Sequence, residues 1–183
     1  MSITDTYESR IDPATLRALA EFPASLEAQF AAFPAEAVHW SPADWSGIPS
    51  ERFTAHEQVC HVRDVEIDGY RVRFRRALRE ADPFLPDLGS EALARERHYA
   101  GQNARAALAA FRIARAETLA TLADLDATQW SRPAFFEDYG PTTVRGLVHY
   151  LCSHDQQHMA GLQWLRGKFD AARHPHGRHA ASA

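Results

Sequence analysis

Cysteine is scarce in this chain of 183 residues, with only Cys60 and Cys152. That number excludes a disulfide-stapled scaffold and suits a reducing compartment. Long apolar runs are missing too. No stretch approaches the roughly 20 residues of a membrane-spanning helix, so no membrane partner is expected. Neither sign of charge dominates: 20 Lys plus Arg against 24 Asp plus Glu leave a formal charge of −4 and a pI near 6.2. Such a balance opposes the concentrated basic face of a nucleic-acid binder, and no nucleic-acid partner is expected. The one Arg-rich run, Arg71, Arg73, Arg75, Arg76 and Arg79, is spaced so that its charges scatter around a helix, and it reads as a solvated surface. No charged-then-apolar segment with a small-residue cleavage site opens the sequence, so the expected location is cytoplasmic.

What is present is ordinary globular composition, 45% hydrophobic and 24% charged, in a chain long enough to bury one substantial core. Periodicity predicts four long helices. The first opens at Asp12-Pro13, an N-cap followed by proline at the first helical position, and runs to about Phe33; Pro23 is expected to kink or divide it. Thr54 to Glu57 has the pattern of a capping box and starts a second helix to about Leu78 or Arg79. A third spans about Asn103 to Leu125. The last starts at Thr142 or Thr143 and continues through Arg166. Between the first two helices lies a long aperiodic connection holding Trp40 and Trp45, read as plugs at one end of a bundle. A short helix is expected over Ser90 to Tyr99, and a loop or brief hairpin over Gln129 to Pro141. The fold class is therefore all-α: a four-helix bundle with long loops and a short extra helix. Residues 1–11 are expected to be loosely ordered, 12–168 to form the bundle domain, and 169–183 to be a flexible His-rich tail.

The chemistry concentrates in the last helix. Val144, Leu147, Val148, Leu151, Leu162 and Leu165 recur every three or four residues and form one apolar stripe, and His154 and His158 fall inside it. An i, i+4 pair stands only about 40° apart around a helix, so both imidazoles point inward. Desolvating two histidines is costly unless a metal or hydrogen bonds hold them. Two neutral histidines in a wet core remain the alternative until a third ligand is found. His61 fills that role best, lying two turns into the second helix on a face shared with Val65, Val72 and Asp68. Three imidazoles suit zinc, nickel or iron(II) and leave coordination positions open for chemistry. Asp68 is a candidate to orient a ligand imidazole or to act as a base. Glu57 is explained by capping and Asp64 by surface exposure, while Cys60 and Cys152 read as small core residues. His56, His98 and His149 are expected to be partly exposed.

The segments FTAHEQVCHVRDVE and GPTTVRGLVHYLCSHDQQHMAGL, with ALAAFRIARAETLATLADLD between them, resemble the DinB/YfiT-like superfamily over about Pro13 to Arg166. The resemblance implies a metal triad of His61, His154 and His158, with zinc or nickel favoured over iron or manganese, and a homodimer. It implies a small-molecule substrate and a metal-dependent enzyme: a thiol-dependent S-transferase with a low-molecular-weight thiol as cosubstrate, or a hydrolase. The rival function is a non-catalytic metal-binding stress-response module acting through dimer or partner contacts. The His61 helix carries a second apolar side (Cys60, Ile67, Phe74, Leu78), to be covered by a loop or by a second copy of the chain.

Overall fold

The computed structural model describes residues 11–174; the expectations for residues 1–10 and for the His-rich tail from residue 175 fall outside them. Helix α1 (Pro13–Ala31) starts where the Asp12 carboxylate accepts the Thr15 amide at 2.8 Å. Pro23 does not divide it. A proline inside a helix strands the carbonyl four residues back, here that of Leu19, and Arg115 Nη1 donates to that carbonyl at 3.0 Å. The donor that Pro23 removes is thus replaced from another helix.

The capping box at Thr54 and Glu57 forms as expected and opens α2 (Ala55–Asp64). The rod continues through a π turn, Val65–Tyr70, into α3 (Arg71–Arg79). Within it the Arg71 amide donates to the Glu66 carbonyl, five residues back. After β1 (Phe84–Leu85), a short helix α4 (Ser90–Glu96) and a 3-10 turn (Tyr99–Gly101), α5 (Ala104–Ala123) packs against α1 and α2. Helix α6 (Ala127–Trp130) leads into a hairpin, β2 (Pro133–Phe136) and β3 (Gly140–Thr143). Strand β2 pairs antiparallel with β3 and parallel with β1, so a three-stranded sheet is added to the bundle. Thr143 caps α7 (Val144–Arg173) by accepting the Gly146 amide. This helix continues past Lys168 and buries Phe169.

The bundle is α1, the α2–α3 rod, α5 and α7, and its buried apolar residues fall into separate clusters, two of which share α7. The apolar stripe of α7 is inward as expected: Val144, Leu147, Val148 and Leu151 pack in one cluster, Leu162 and Leu165 in the other. Trp40 packs edge-on against Phe169, and Trp45 stacks on Trp164 with ring centroids 6.1 Å apart. Both tryptophans close one end of the bundle. Cys60 on the second apolar side of the rod is covered from within the chain, by Tyr99 and Ala107.

Candidate metal centre

His61 sits on α2, and His154 and His158 lie one turn apart on α7. The structure brings the three rings together. Nε2 of His154 is 3.2 Å from Nε2 of His61 and 3.1 Å from Nε2 of His158. A fourth donor completes the cluster, and it comes from the aperiodic connection before α2. Glu51 places Oε1 3.3 Å from His61 Nε2 and Oε2 3.3 Å from His158 Nε2. One ligand atom from each of the four residues lies within 4.8 Å of every other. Donors bonded at about 2.0–2.1 Å to a shared zinc ion in a tetrahedron stand about 3.3 Å apart, so the spacing fits one ion.

Proton positions support the same reading. The Gln58 amide nitrogen donates to the Phe53 carbonyl at 3.4 Å, which turns its oxygen toward His158 Nδ1, 3.0 Å away. Nδ1 of His158 must then carry the proton, leaving a lone pair on Nε2. That lone pair faces His154 Nε2 and the Glu51 carboxylate, an arrangement that a cation satisfies. Burial, followed by the neighbouring His158 and His61, pushes the His154 imidazole well below the ordinary histidine range. Burial also lowers His158, against the opposing pull of Glu51. For Glu51, burial acts upward, but the proximity of His158 and His61 outweighs it and holds the carboxyl far below its usual value, as an anion. With Nε2 of His158 unprotonated, a cation is what joins the two groups. Two neutral imidazoles and a carboxylate anion are the protonation states that metal ligation needs.

Gly161 holds the Glu51 loop close. A Cβ there would meet Ser50 Oγ at 2.3 Å and the Gln58 amide at 3.0 Å, so a side chain at this position would have to displace Ser50 and the Gln58 amide that faces His158.

Behind the site lies a fully buried ionic network. Arg115 donates to both oxygens of Asp155, at 2.7 and 3.0 Å, and to Glu66 Oε2 from Nε and Nη2. Thr118 donates to Glu66 Oε1 at 2.5 Å. Burial pushes Asp155 up to about 7 against the pull of the guanidinium. Asp155 follows His154 directly, so the network ties the ligand-bearing turn of α7 to α5 and to the π turn.

In front of the site is a cavity of about 320 Å³ whose floor includes Glu51, His61 and His154. Its walls include Tyr70, Arg73, Phe136 and Tyr139. This volume lies at the small end of the range for small-molecule sites.

Asp68 stands elsewhere. Its carboxylate is 2.6 Å from Arg97 Nη1, at a part-exposed position. The π turn is the reason, because one extra residue in a turn rotates everything downstream by about 100° relative to an α-helix. Positions 69 and 73 therefore take the face that an unbroken helix would have given to Asp68 and Val72. Asp64, expected on the surface, is buried, accepting from the Tyr99 hydroxyl at 2.7 Å and paired with Arg63 and Arg97. His56 is buried as well, with its ring against His39, whereas His98 and His149 are exposed. Glu51 escaped the sequence reading because a ligand in an aperiodic loop carries no spacing signal; its one trace is a carboxylate three residues before the Thr54 cap.

The profile of the DinB superfamily matches residues 18–161. The chain belongs to the DinB superfamily. Among solved structures it resembles YfiT from Bacillus subtilis, described as a probable metal-dependent hydrolase with an unusual four-helix bundle topology. The TM-score is 0.74 at 20% sequence identity, over 86% of each chain. This likeness is one of fold. No protein with a curated description matches.

Proposed function

We propose that this DinB-superfamily protein is a metal-dependent enzyme that turns water or a low-molecular-weight thiol into a nucleophile against a small electrophilic substrate. One observation carries the reading: three imidazole nitrogens and a carboxylate converge on a point at the floor of a cavity. His61, His154 and His158 would hold a divalent ion, zinc or nickel by the chemistry of the donors, with Glu51, from the loop that borders the cavity, as the fourth donor that would give way to water or thiol. When bound, the ion supplies Lewis acidity that lowers the pKa of a water or a thiol into the neutral range. The chain's residues orient that chemistry: Gln58 sets the His158 tautomer, and the Arg115 network fixes the turn bearing His154. The description of YfiT favours the hydrolytic branch. A cytoplasmic, homodimeric protein is the setting in which we place this activity.

A purely structural metal is the weaker alternative. Arg115, Glu66 and Asp155 already join three helices beside the site, and a structural ion is normally enclosed whereas this cluster opens onto a cavity. The test loads tag-free protein with Zn2+ or Ni2+ and offers a small epoxide or haloalkane with and without a thiol. Thiol transfer forms a carbon–sulfur bond as the carbon–halogen or epoxide carbon–oxygen bond breaks; a halide leaves with the thiol proton released to solvent, whereas the epoxide oxygen stays on the product and takes up a proton as a hydroxyl. Turnover without thiol assigns hydrolysis, and turnover only with thiol assigns transfer. Full metal occupancy with no turnover of any offered electrophile favours the non-catalytic module. His158→Ala separates the roles further: loss of metal with retention of the fold supports an open functional site, and collapse supports a structural ion.

A further inference from the structure

Arg73 is the second charged group of the cavity, and neither the family resemblance nor the metal cluster gives it a task. Its side chain is almost fully buried on the wall of the cavity, 4% exposed. The π turn puts it there, on the face that Val72 would otherwise hold. Gly69 lets it lie flat against the rod, since a Cβ at that position would meet Arg73 Nη1 at 3.0 Å. The guanidinium carbon sits 4.3 Å from the centre of the Phe136 ring and 5.1 Å from that of Tyr70.

Its hydrogen bonds are incomplete. Nε and Nη2 donate to the Pro86 carbonyl at 3.3 and 3.0 Å, and Nη2 makes one long contact of 3.3 Å with Asp87. Asp87 is half-exposed, and Nη1 has no hydrogen-bond partner among the described residues. A buried guanidinium with five donors and one distant, solvated counter-charge is poorly compensated. Compare Arg115, equally buried, which is matched by two buried carboxylates.

We infer that Arg73 anchors a small carboxylate-bearing ligand in the metal cavity, so that the substrate is a monoanion held at one end by Arg73 and presented at the other to the Glu51–histidine cluster. The inference builds on the proposed site but uses a different group. A carboxylate matches the planar donors of a guanidinium. A dianionic phosphate does not suit the site, because Asp87 and Asp138 also line the cavity. The room, equivalent to about ten waters at ~30 Å³ each, accepts an acid of benzoate size. The Phe136 and Tyr139 rings, stacked with centroids 4.7 Å apart, supply an apolar wall for its body.

The test measures binding by calorimetry, with benzoate as the probe and benzamide and inorganic phosphate as controls. Metal-loaded and chelator-stripped protein are both titrated. Benzoate is expected to bind both forms, with benzamide and phosphate at least about tenfold weaker. Arg73→Gln should weaken benzoate by about tenfold or more, and Arg73→Lys should restore part of the loss. Since Arg73 also holds the Pro86 carbonyl, Asp87→Asn serves as a variant that leaves the guanidinium in place: removing the competing carboxylate should tighten benzoate. That gain should disappear in the Arg73→Gln, Asp87→Asn double variant; a gain that persists there comes from the lost negative charge of Asp87 alone and overturns the inference. Equal affinity for benzoate and benzamide, or binding unchanged in Arg73→Gln, overturns the inference. Phosphate binding as tightly as benzoate overturns the assignment to a carboxylate. Benzoate binding that vanishes when the metal is stripped assigns the carboxylate to the ion instead, which refutes the Arg73 anchor and leaves the metal site standing.

Discussion

The amide oxygen of Gln58 stands 3.0 Å from Nδ1 of His158, a residue 100 positions further along the chain. Gln58 is fully buried one turn before His61, so α2 both supplies one ligand and orients another. Outer partners of this kind typically change metal affinity 10–100-fold. Gln58→Ala should therefore weaken Zn2+ binding by about one to two orders of magnitude, measured by competition with a chromophoric chelator. Unchanged affinity would mean that His158 needs no help to present Nε2.

Glu51 gives a cleaner perturbation because it sits in a half-exposed loop and outside the helical core. Glu51→Gln should leave the metal-free protein folded and reduce metal affinity, while the cluster retains three imidazoles. If the substitution leaves affinity untouched, Glu51 is a neighbour of the ion and not a ligand.

The buried Arg115 network makes a prediction about stability that does not depend on metal. Arg115→Met leaves Glu66 and Asp155 buried without a counter-charge and returns the Leu19 carbonyl to the unpaired state that Pro23 created. Breaking a buried pair in this way costs about 3–5 kcal/mol, to be read from urea unfolding of metal-free protein. A loss well under about 1 kcal/mol would show that the network is worth no more than a surface ion pair.

Asp64 sets a pH dependence. Burial pushes its pKa upward, but hydrogen bonds from Arg63 and Tyr99 and the charges of Arg63 and Arg97 outweigh this and place the folded-state pKa below the ordinary 3.8. The folded protein thus binds this proton less readily than the unfolded chain, so the contribution of Asp64 is present above pH 3.8 and fades as pH falls through the folded-state value. Wild-type protein should lose stability on acidification below that point more steeply than Asp64→Asn, in parallel denaturant titrations. Parallel curves for the two proteins would contradict the assignment.

The parts of this molecule that were legible in the sequence are those set by local, periodic signals. The Thr54–Glu57 box, the Asp12-Pro13 start and the α7 stripe each involve residues within four positions of one another, and each formed where the pattern placed it. His154 and His158 were readable for the same reason, and His61 through its position on a neighbouring face. Glu51 and Gln58 were not, because their roles arise from contacts across elements that no spacing rule encodes. The π turn had the widest consequence. Nothing in VEIDGY announces an extra residue in the turn, yet that residue moves Asp68 to the Arg97 ion pair and brings Arg73 to the cavity. Asp64 was misplaced on the surface because its partner Tyr99 lies 35 residues away.

The most direct measurement is X-ray absorption on tag-free protein carrying one equivalent of Zn2+, compared with His61→Ala, His154→Ala and His158→Ala. Wild-type protein should show three imidazole nitrogens and one carboxylate oxygen at about 2.0–2.1 Å, and each variant should lose one imidazole from the shell together with most of its affinity. A wild-type shell with fewer than three imidazoles, or a spectrum and affinity unchanged in all three variants, would put the ion elsewhere in the chain and remove the proposed reaction centre.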